Sequence, residues 1–351
     1  MTVTSPTGRL VIAPDSFKGT YSAVQVSAAI ARGARTRAAG SALDVVELPV
    51  ADGGEGTLDA LRVPMGLTLV DAPSCNPWGR PRTGRYGLRT GRAGEGVAVV
   101  EVAESDGLTV AHDGARDPVT AGTRGTGMLV VDALRRGAQH ILIAAGGSAT
   151  TDGGRGLIEE VDRVGGIGSA RLSVLTDVRT RFDEAAVVFG PQKGANATQV
   201  AELTARLRRF GAELPRNPQD VVGGGAAGGL AGGLWAWFDA AIVPGANFVL
   251  EHLRLDTTLR GAVGLVVGEG RLDGQSADGK IVSALIERAA GIEVHAVVGS
   301  LGPDADRLSH RFASVHIATD EDAMAAAGAT IAGRYLHPAA RHPDARSHSN
   351  T

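Results

Sequence analysis

Leu10-Val11-Ile12-Ala13-Pro14-Asp15-Ser16-Phe17-Lys18-Gly19 is the stretch that decides the fold class. Its first four residues form a short continuous apolar run, the pattern of a strand covered on both faces. Asp15 and Gly19 then mark a polar turn, and Ser22–Ala39 repeats apolar residues at helical spacing. The same apolar run recurs at Asp44–Leu48, His140–Ala145, Ala262–Val267, Val294–Val298 and Ser314–Ala318. Helical patterns fill the gaps at Gly56–Leu61, Thr126–Arg136, Val282–Ala290 and Glu321–Leu336. Strand, turn, helix, strand is the signature of a doubly wound, Rossmann-like α/β domain with a parallel sheet.

Two stretches break that rhythm. Leu67–His112 alternates apolar and polar residues between turns such as Asn76-Pro77-Trp78-Gly79, as antiparallel hairpins do. Residues 156–219 mix short runs with one amphipathic helix, Ala197–Phe210. The expected architecture is therefore two α/β domains. Residues 9–66, 119–155 and 220–336 would build the Rossmann-like one, and 67–118 with 156–219 a smaller mixed domain inserted into it. Residues 1–8 and 337–351 read as disordered tails. Trp235, Trp237 and Phe238 are expected to pack a helix into the core.

Composition narrows the function. The 351 residues, 43% hydrophobic and 21% charged, suit a folded globular protein. A net charge of −3 gives no general attraction to nucleic acid or to an anionic membrane. One cysteine, Cys75, excludes an intrachain disulfide, and no apolar run reaches a membrane span. A cytoplasmic monomer or homodimer is expected. Of 35 basic residues only Lys18, Lys193 and Lys280 are lysine, and each sits beside a glycine in a polar loop. A compact ammonium next to backbone amides is a phosphate-handling combination.

Five segments share one design, a strand end followed by Gly with Asp, Glu, Lys or Ser. They are Pro14–Gly19, Ala51–Gly56, Gly146–Gly154, Gly190–Gly194 and Gly268–Gly274. Ligands of open parallel sheets bind at the carboxyl ends of the strands, so these loops should converge on one cleft. Phosphoryl transfer needs that inventory: free amides for phosphates, carboxylates for Mg²⁺ and a proton, Lys or Arg for transition-state charge. Gly274–Ile281 nearly fits a Walker A loop, but Ile281 stands where Ser or Thr would bind Mg²⁺. Gly223–Gly228 matches a dinucleotide fingerprint without a convincing preceding strand and reads as a glycine-rich helix entry. The histidines show no zinc spacing.

At these same loops the chain resembles the glycerate kinase type-1 family. The matching stretches are Val11–Thr20, Pro49–Thr57, Gly146–Thr150, Asp152–Gly154, Val188–Ala195, Pro244–Ala246 and Gly268–Gln275, with Gly279-Lys280 following. The resemblance implies a two-domain α/β enzyme that uses MgATP to phosphorylate a hydroxyl of glycerate, giving 2-phosphoglycerate, in the cleft between the domains. It assigns Asp177, Asp152, Lys18, Lys193 and Arg271 to catalysis. Asp15, Ser16, Lys18, Asp52, Glu55, Ser148 and Thr151 would bind the hydroxy-acid. Gly146, Gly147, Gly268, Glu269, Gly270, Asp273 and Lys280 would hold ATP, and Asp177 with Asp273 would contact Mg²⁺. The chain departs from the family pattern at Thr151, at Thr176 and Thr180 around Asp177, and at Asp278. The segment between Leu157 and Val174 is short, with the glycines of Val164–Ser169 bridging it. These departures leave room for a related kinase acting on another small acceptor in specialised metabolism. A nucleotide-binding homologue without catalysis and an oxidoreductase are the remaining alternatives.

Overall fold

The structure is a computed structural model that describes residues 8–91, 95–112, 114, 116–273, 281–305 and 309–336. In chain order the elements that build it are β1 (Gly8–Pro14), α1 (Ala23–Ala38), β2 (Leu43–Glu47), α2 (Thr57–Arg62), β3 (Thr68–Cys75), β4 (Pro81–Arg89), β5 (Val97–Glu101) and α3 (Val102–Asp106). There follow α4 (Arg124–Arg135), β6 (His140–Ala144), α5 (Arg155–Asp162), β7 (Arg171–Leu175), α6 (Ala185–Phe189), α7 (Ala197–Glu213), α8 (Leu230–Phe238) and β8 (Ala241–Val243). The chain closes with α9 (Gly245–His252), α10 (Leu255–Thr258), β9 (Ala262–Leu272), α11 (Ile281–Arg288), β10 (Glu293–Leu301), β11 (Ser314–Ile317) and α12 (Glu321–Arg334). Gly8, expected in the leading tail, is already the first residue of β1.

The strands form two sheets. The first is five-stranded, in the order β11-β10-β9-β1-β2, and every pairing in it is parallel. Leu10 and Ile12 face the layer of α1 and α12, whereas Val11 and Ala13 face that of α9 and α11. That two-sided burial is why β1 reads as an unbroken apolar run. The Leu, Val and Ile side chains each contribute roughly 1.5–3 kcal/mol relative to exposure. Ser22 caps α1 in a capping box with Gln25. From β1 the chain steps to β2 on one side and returns through β9 to the other. The topological switch point, where such sheets bind ligands, therefore lies between β1 and β9.

The second sheet is six-stranded, in the order β3-β4-β5-β6-β7-β8. β3, β4 and β5 pair antiparallel, as the alternation of Leu67–His112 predicts, and β5 to β8 pair parallel. β6, expected in the Rossmann-like domain, is a central strand here, and β8 is the edge. A buried apolar run carries no record of which sheet it joins, so residues 68–243 form one continuous sheet-bearing segment instead of two inserted pieces. The short connection after α5 is a turn in which Gly165 and Gly166 take positive φ in open space and hand the chain directly to β7. Trp235 and Phe238 of α8 pack against the core, but Trp237 points outward and is 40% exposed.

Candidate active site

The loop after β1 is a tight hairpin in which Phe17 and Tyr21 exchange backbone hydrogen bonds and Gly19 takes a φ of 83°. It is tied to β9 by the Asp15 amide, which donates to the Gly268 carbonyl at 2.8 Å. Asp15 is almost wholly buried, and burial, reinforced by Asp52, pushes its carboxyl up to about 8. Lys18 reaches back to Asp52, Nζ to Oδ2 3.6 Å, and this carboxylate raises its pKa. The Ser16 hydroxyl is buried and has no hydrogen-bond partner among the described residues.

Two cavities open around this hairpin. One, of about 490 Å³, lies at the switch point between Asp15, Lys18, Asp52, Glu269, Arg271 and Asp273, with Ser300 and Thr319 at its far side. Gly270 and Gly299 in its wall pack against other main chain: a Cβ on Gly270 would meet the Phe17 Cα at 3.2 Å, and one on Gly299 the Gly270 carbonyl at 2.7 Å. The other, of about 480 Å³, runs from the hairpin to the second sheet between Glu55, Asp59, Arg82, Arg85, Glu101 and Glu104. Ser16, Lys18 and Thr20 line both. Glu101 is buried at the end of β5 and accepts from the Leu58 amide at 2.6 Å, fastening α2 to the second sheet; burial pushes its carboxyl up to about 8.

The remaining expected residues stand behind these walls. Gly146 packs backbone to backbone against Gly54, and the Ala145 amide donates to the Gly53 carbonyl at 3.1 Å. The glycines of this loop thus admit another chain segment. Lys193 is buried, and its ammonium donates to the Ser148 hydroxyl at 3.1 Å and to the Thr150 carbonyl. Burial lowers its pKa to about 7 against the pull of Asp152. Thr151 is fully buried, and its carbonyl accepts from Arg206 at 2.9 Å.

Asp152 caps the start of α5. Its carboxylate accepts from the amides of Thr123, Gly154 and Gly156 and from the Thr123 hydroxyl, at 2.8–3.1 Å. Asp177 accepts from the Ala246 amide at 2.9 Å at the start of α9; burial, with Asp52 adding to it, pushes its carboxyl up to about 6. Neither aspartate lines either cavity. Among the described residues no three carboxylates, imidazoles or thiolates converge closely enough to hold a metal directly. Lys280 lies outside the described residues.

Arg82, Arg85, Glu101 and Glu104 do not follow from the loop motif. Arg82 and Arg85 lie along β4, Glu101 ends β5 and Glu104 sits in the short helix α3 that follows it, so no shared strand-end pattern marks them. Gly299-Ser300 at the end of β10 does obey the strand-end rule and could have been added to the five loops.

The arrangement of a buried aspartate beside a second carboxylate, a lysine and two joined cavities suits transfer of an anionic group between two ligands. Comparison with known proteins agrees. The model of the glycerate kinase family matches residues 10–166 and 162–342. Glycerate kinase from Halalkalibacterium halodurans is 35% identical over 84% of this chain and 86% of that protein. Glycerate 2-kinase from Escherichia coli K12 is 33% identical over 78% and 80%, respectively. The crystal structure of glycerate kinase 2 from Salmonella typhimurium LT2 superposes with a TM-score of 0.73 at 31% identity, covering 94% of this chain and 97% of that one. These relatives do not favour the oxidoreductase, the binding module or the repurposed kinase. The chain belongs to the glycerate kinase family and is a phosphotransferase with an alcohol group as acceptor.

Proposed function

We propose that this protein transfers the γ-phosphoryl group of ATP to the 2-hydroxyl of D-glycerate, giving 2-phosphoglycerate, in the cytoplasm. The observation that carries this reading is the meeting of two cavities at Ser16, Lys18 and Thr20. The nucleotide occupies the cavity at the switch point, where open parallel sheets bind ligands and which Gly270 and Gly299 help to line. The hydroxy-acid occupies the cavity against the second sheet. Lys18 stands at the crossing and, with Arg271, offsets charge on the phosphoryl group as it passes.

Ser16 offers its unpartnered hydroxyl to a ligand oxygen at the crossing. Asp15 receives the proton of the attacking hydroxyl. It is a buried carboxyl that adjoins Ser16 in the hairpin and lines the nucleotide cavity, and its raised pKa matches proton transfer near neutral pH. Mg²⁺, when bound, neutralises phosphate charge. Asp52, Glu269 and Asp273 fit that ion, because they ring the nucleotide cavity and Mg²⁺ keeps several of its waters. Asp152, Asp177, Lys193, Ser148 and Thr151 act from behind, by holding the loops that carry these groups.

The test is ADP release with MgATP against D-glycerate, L-glycerate and related hydroxy-acids, with the phosphate position read by NMR. Turnover of D-glycerate to the 2-phosphate is expected. ATP binding with no turnover of any hydroxy-acid would overturn the reading.

A further inference from the structure

The acceptor of this reaction carries a carboxylate, yet the cavity assigned to it is walled by four acidic residues, Glu55, Asp59, Glu101 and Glu104. An anion enters such a space only if cations answer it. Among the described residues the first sheet offers only Lys18, and its ammonium is already engaged by Asp52. The other cations that the described residues place on the cavity wall, Arg82 and Arg85, both come from β4 of the second sheet.

Their surroundings leave them able to take a ligand. Arg82 donates through one nitrogen to the main-chain carbonyl of Glu104, which fixes the plane of its guanidinium and leaves its other N–H groups for a second partner. Arg85 stands three residues on, exposed at the cavity's edge. Both are close enough to Glu104 to oppose the rise that burial imposes on its carboxyl. Glu104 thus faces the two guanidiniums as a carboxylate already in the cavity, and a substrate carboxylate entering there meets the same field. An isolated Lys would supply a point charge, whereas a guanidinium fork matches a planar carboxylate with two parallel bonds.

We propose that Arg82 and Arg85 are the specificity-determining residues that receive the carboxylate of the acceptor, so that the second domain selects a hydroxy-acid over a neutral polyol. This rests on the glycerate kinase reading above. Lys18 and Asp15 then see the hydroxyl, and Arg82 and Arg85 see the acid end. Because both arginines lie on one strand, the selection travels with β4 and not with the phosphate-handling loops.

The experiment is steady-state kinetics of wild type, Arg82→Gln and Arg85→Gln with D-glycerate and with its uncharged amide, glyceramide, each at saturating MgATP. Thermal melts of all three proteins report folding. Loss of a charge-assisted hydrogen bond should raise the KM for glycerate by about tenfold or more. KM for ATP and for glyceramide should stay within about twofold, so the preference for the acid over the amide collapses. If a folded variant keeps the wild-type KM for glycerate, or both acceptors suffer equally, the carboxylate is not read here. If Arg82→Gln fails to fold, Arg85→Gln alone decides, since its side chain is exposed. Wild type silent on glycerate would overturn the parent reading and this inference with it.

Discussion

Gly54 and Gly146 touch main chain to main chain: a Cβ on Gly146 would lie 2.5 Å from the Gly54 Cα, and one on Gly54 3.0 Å from the Gly146 Cα. Gly54 belongs to the loop that carries Asp52 and Glu55, and Gly146 to the loop after β6 of the second sheet. This contact, with the Ala145 bond to Gly53 and the Glu101 bond to Leu58, fastens the acidic loop of one sheet to the strand ends of the other.

Gly146→Ala should therefore weaken both fold and catalysis. Neither neighbour is the end of a flexible side chain, so main chain must move, at a cost of roughly 1–3 kcal/mol. The displaced atoms carry Asp52 and, through it, the position of Lys18. A fall in melting temperature together with a fall in kcat/KM for glycerate is expected. A variant matching wild type in both would show that the two loops separate freely.

Asp15 makes a prediction about pH. The unfolded chain releases this proton near 3.8, whereas the folded protein keeps it to about 8. Between those values the folded state binds more protons, so this group's contribution to stability falls as pH rises. Activity runs the other way, because a base must be unprotonated: kcat/KM should climb through about pH 8. Asp15→Asn should remove that limb, lower kcat by about 10²-fold or more, and melt higher than wild type at alkaline pH. A variant that retains the limb would hand the proton to another residue.

Much of this was legible in the string, and the gaps have physical causes. The unbroken apolar run of β1 and the helical spacing that follows it announce a two-faced parallel sheet, and the strand-end rule finds Asp15, Lys18, Asp52 and Arg271 at one cavity. Composition cannot tell a glycine that admits a phosphate from one that admits another backbone, and Gly146 is of the second kind. An aspartate beside a glycine reads equally as a base or a cap. Only the four donors converging on Asp152 from two separate segments distinguish them. Arg82 and Arg85 lie on a strand whose charged residues look like a solvent face, and only the fold brings them to one cavity wall with the hairpin after β1.

Lys193 predicts a second pH effect, of opposite sign to that of Asp15. Its proton is held to about 10.5 in the unfolded chain and only to about 7 when buried. Across that window the unfolded state binds more protons, so this lysine's contribution makes stability rise with pH. Lys193→Met removes the titration while leaving the Thr150 carbonyl without its donor. The difference in melting temperature between wild type and variant should therefore shift in favour of wild type from pH 7 to pH 10. A difference that stays constant over that range would mean that Lys193 keeps its proton throughout.

Asp152 separates capping from catalysis. Its Oδ2 accepts from the Thr123 amide, the Thr123 hydroxyl and the Gly156 amide, joining the start of α4 to the start of α5. Asp152→Asn is nearly isosteric but turns one acceptor into a donor facing other donors. Each buried group left unsatisfied costs about 1–3 kcal/mol, so the melting temperature should drop by several degrees. At a temperature where the variant is folded, kcat should stay within a few-fold of wild type, because the carboxylate lines neither cavity. A loss of about 10²-fold or more in kcat with an unchanged melt would instead make Asp152 the group that takes the proton, and would move the reacting hydroxyl toward the Gly146 loop.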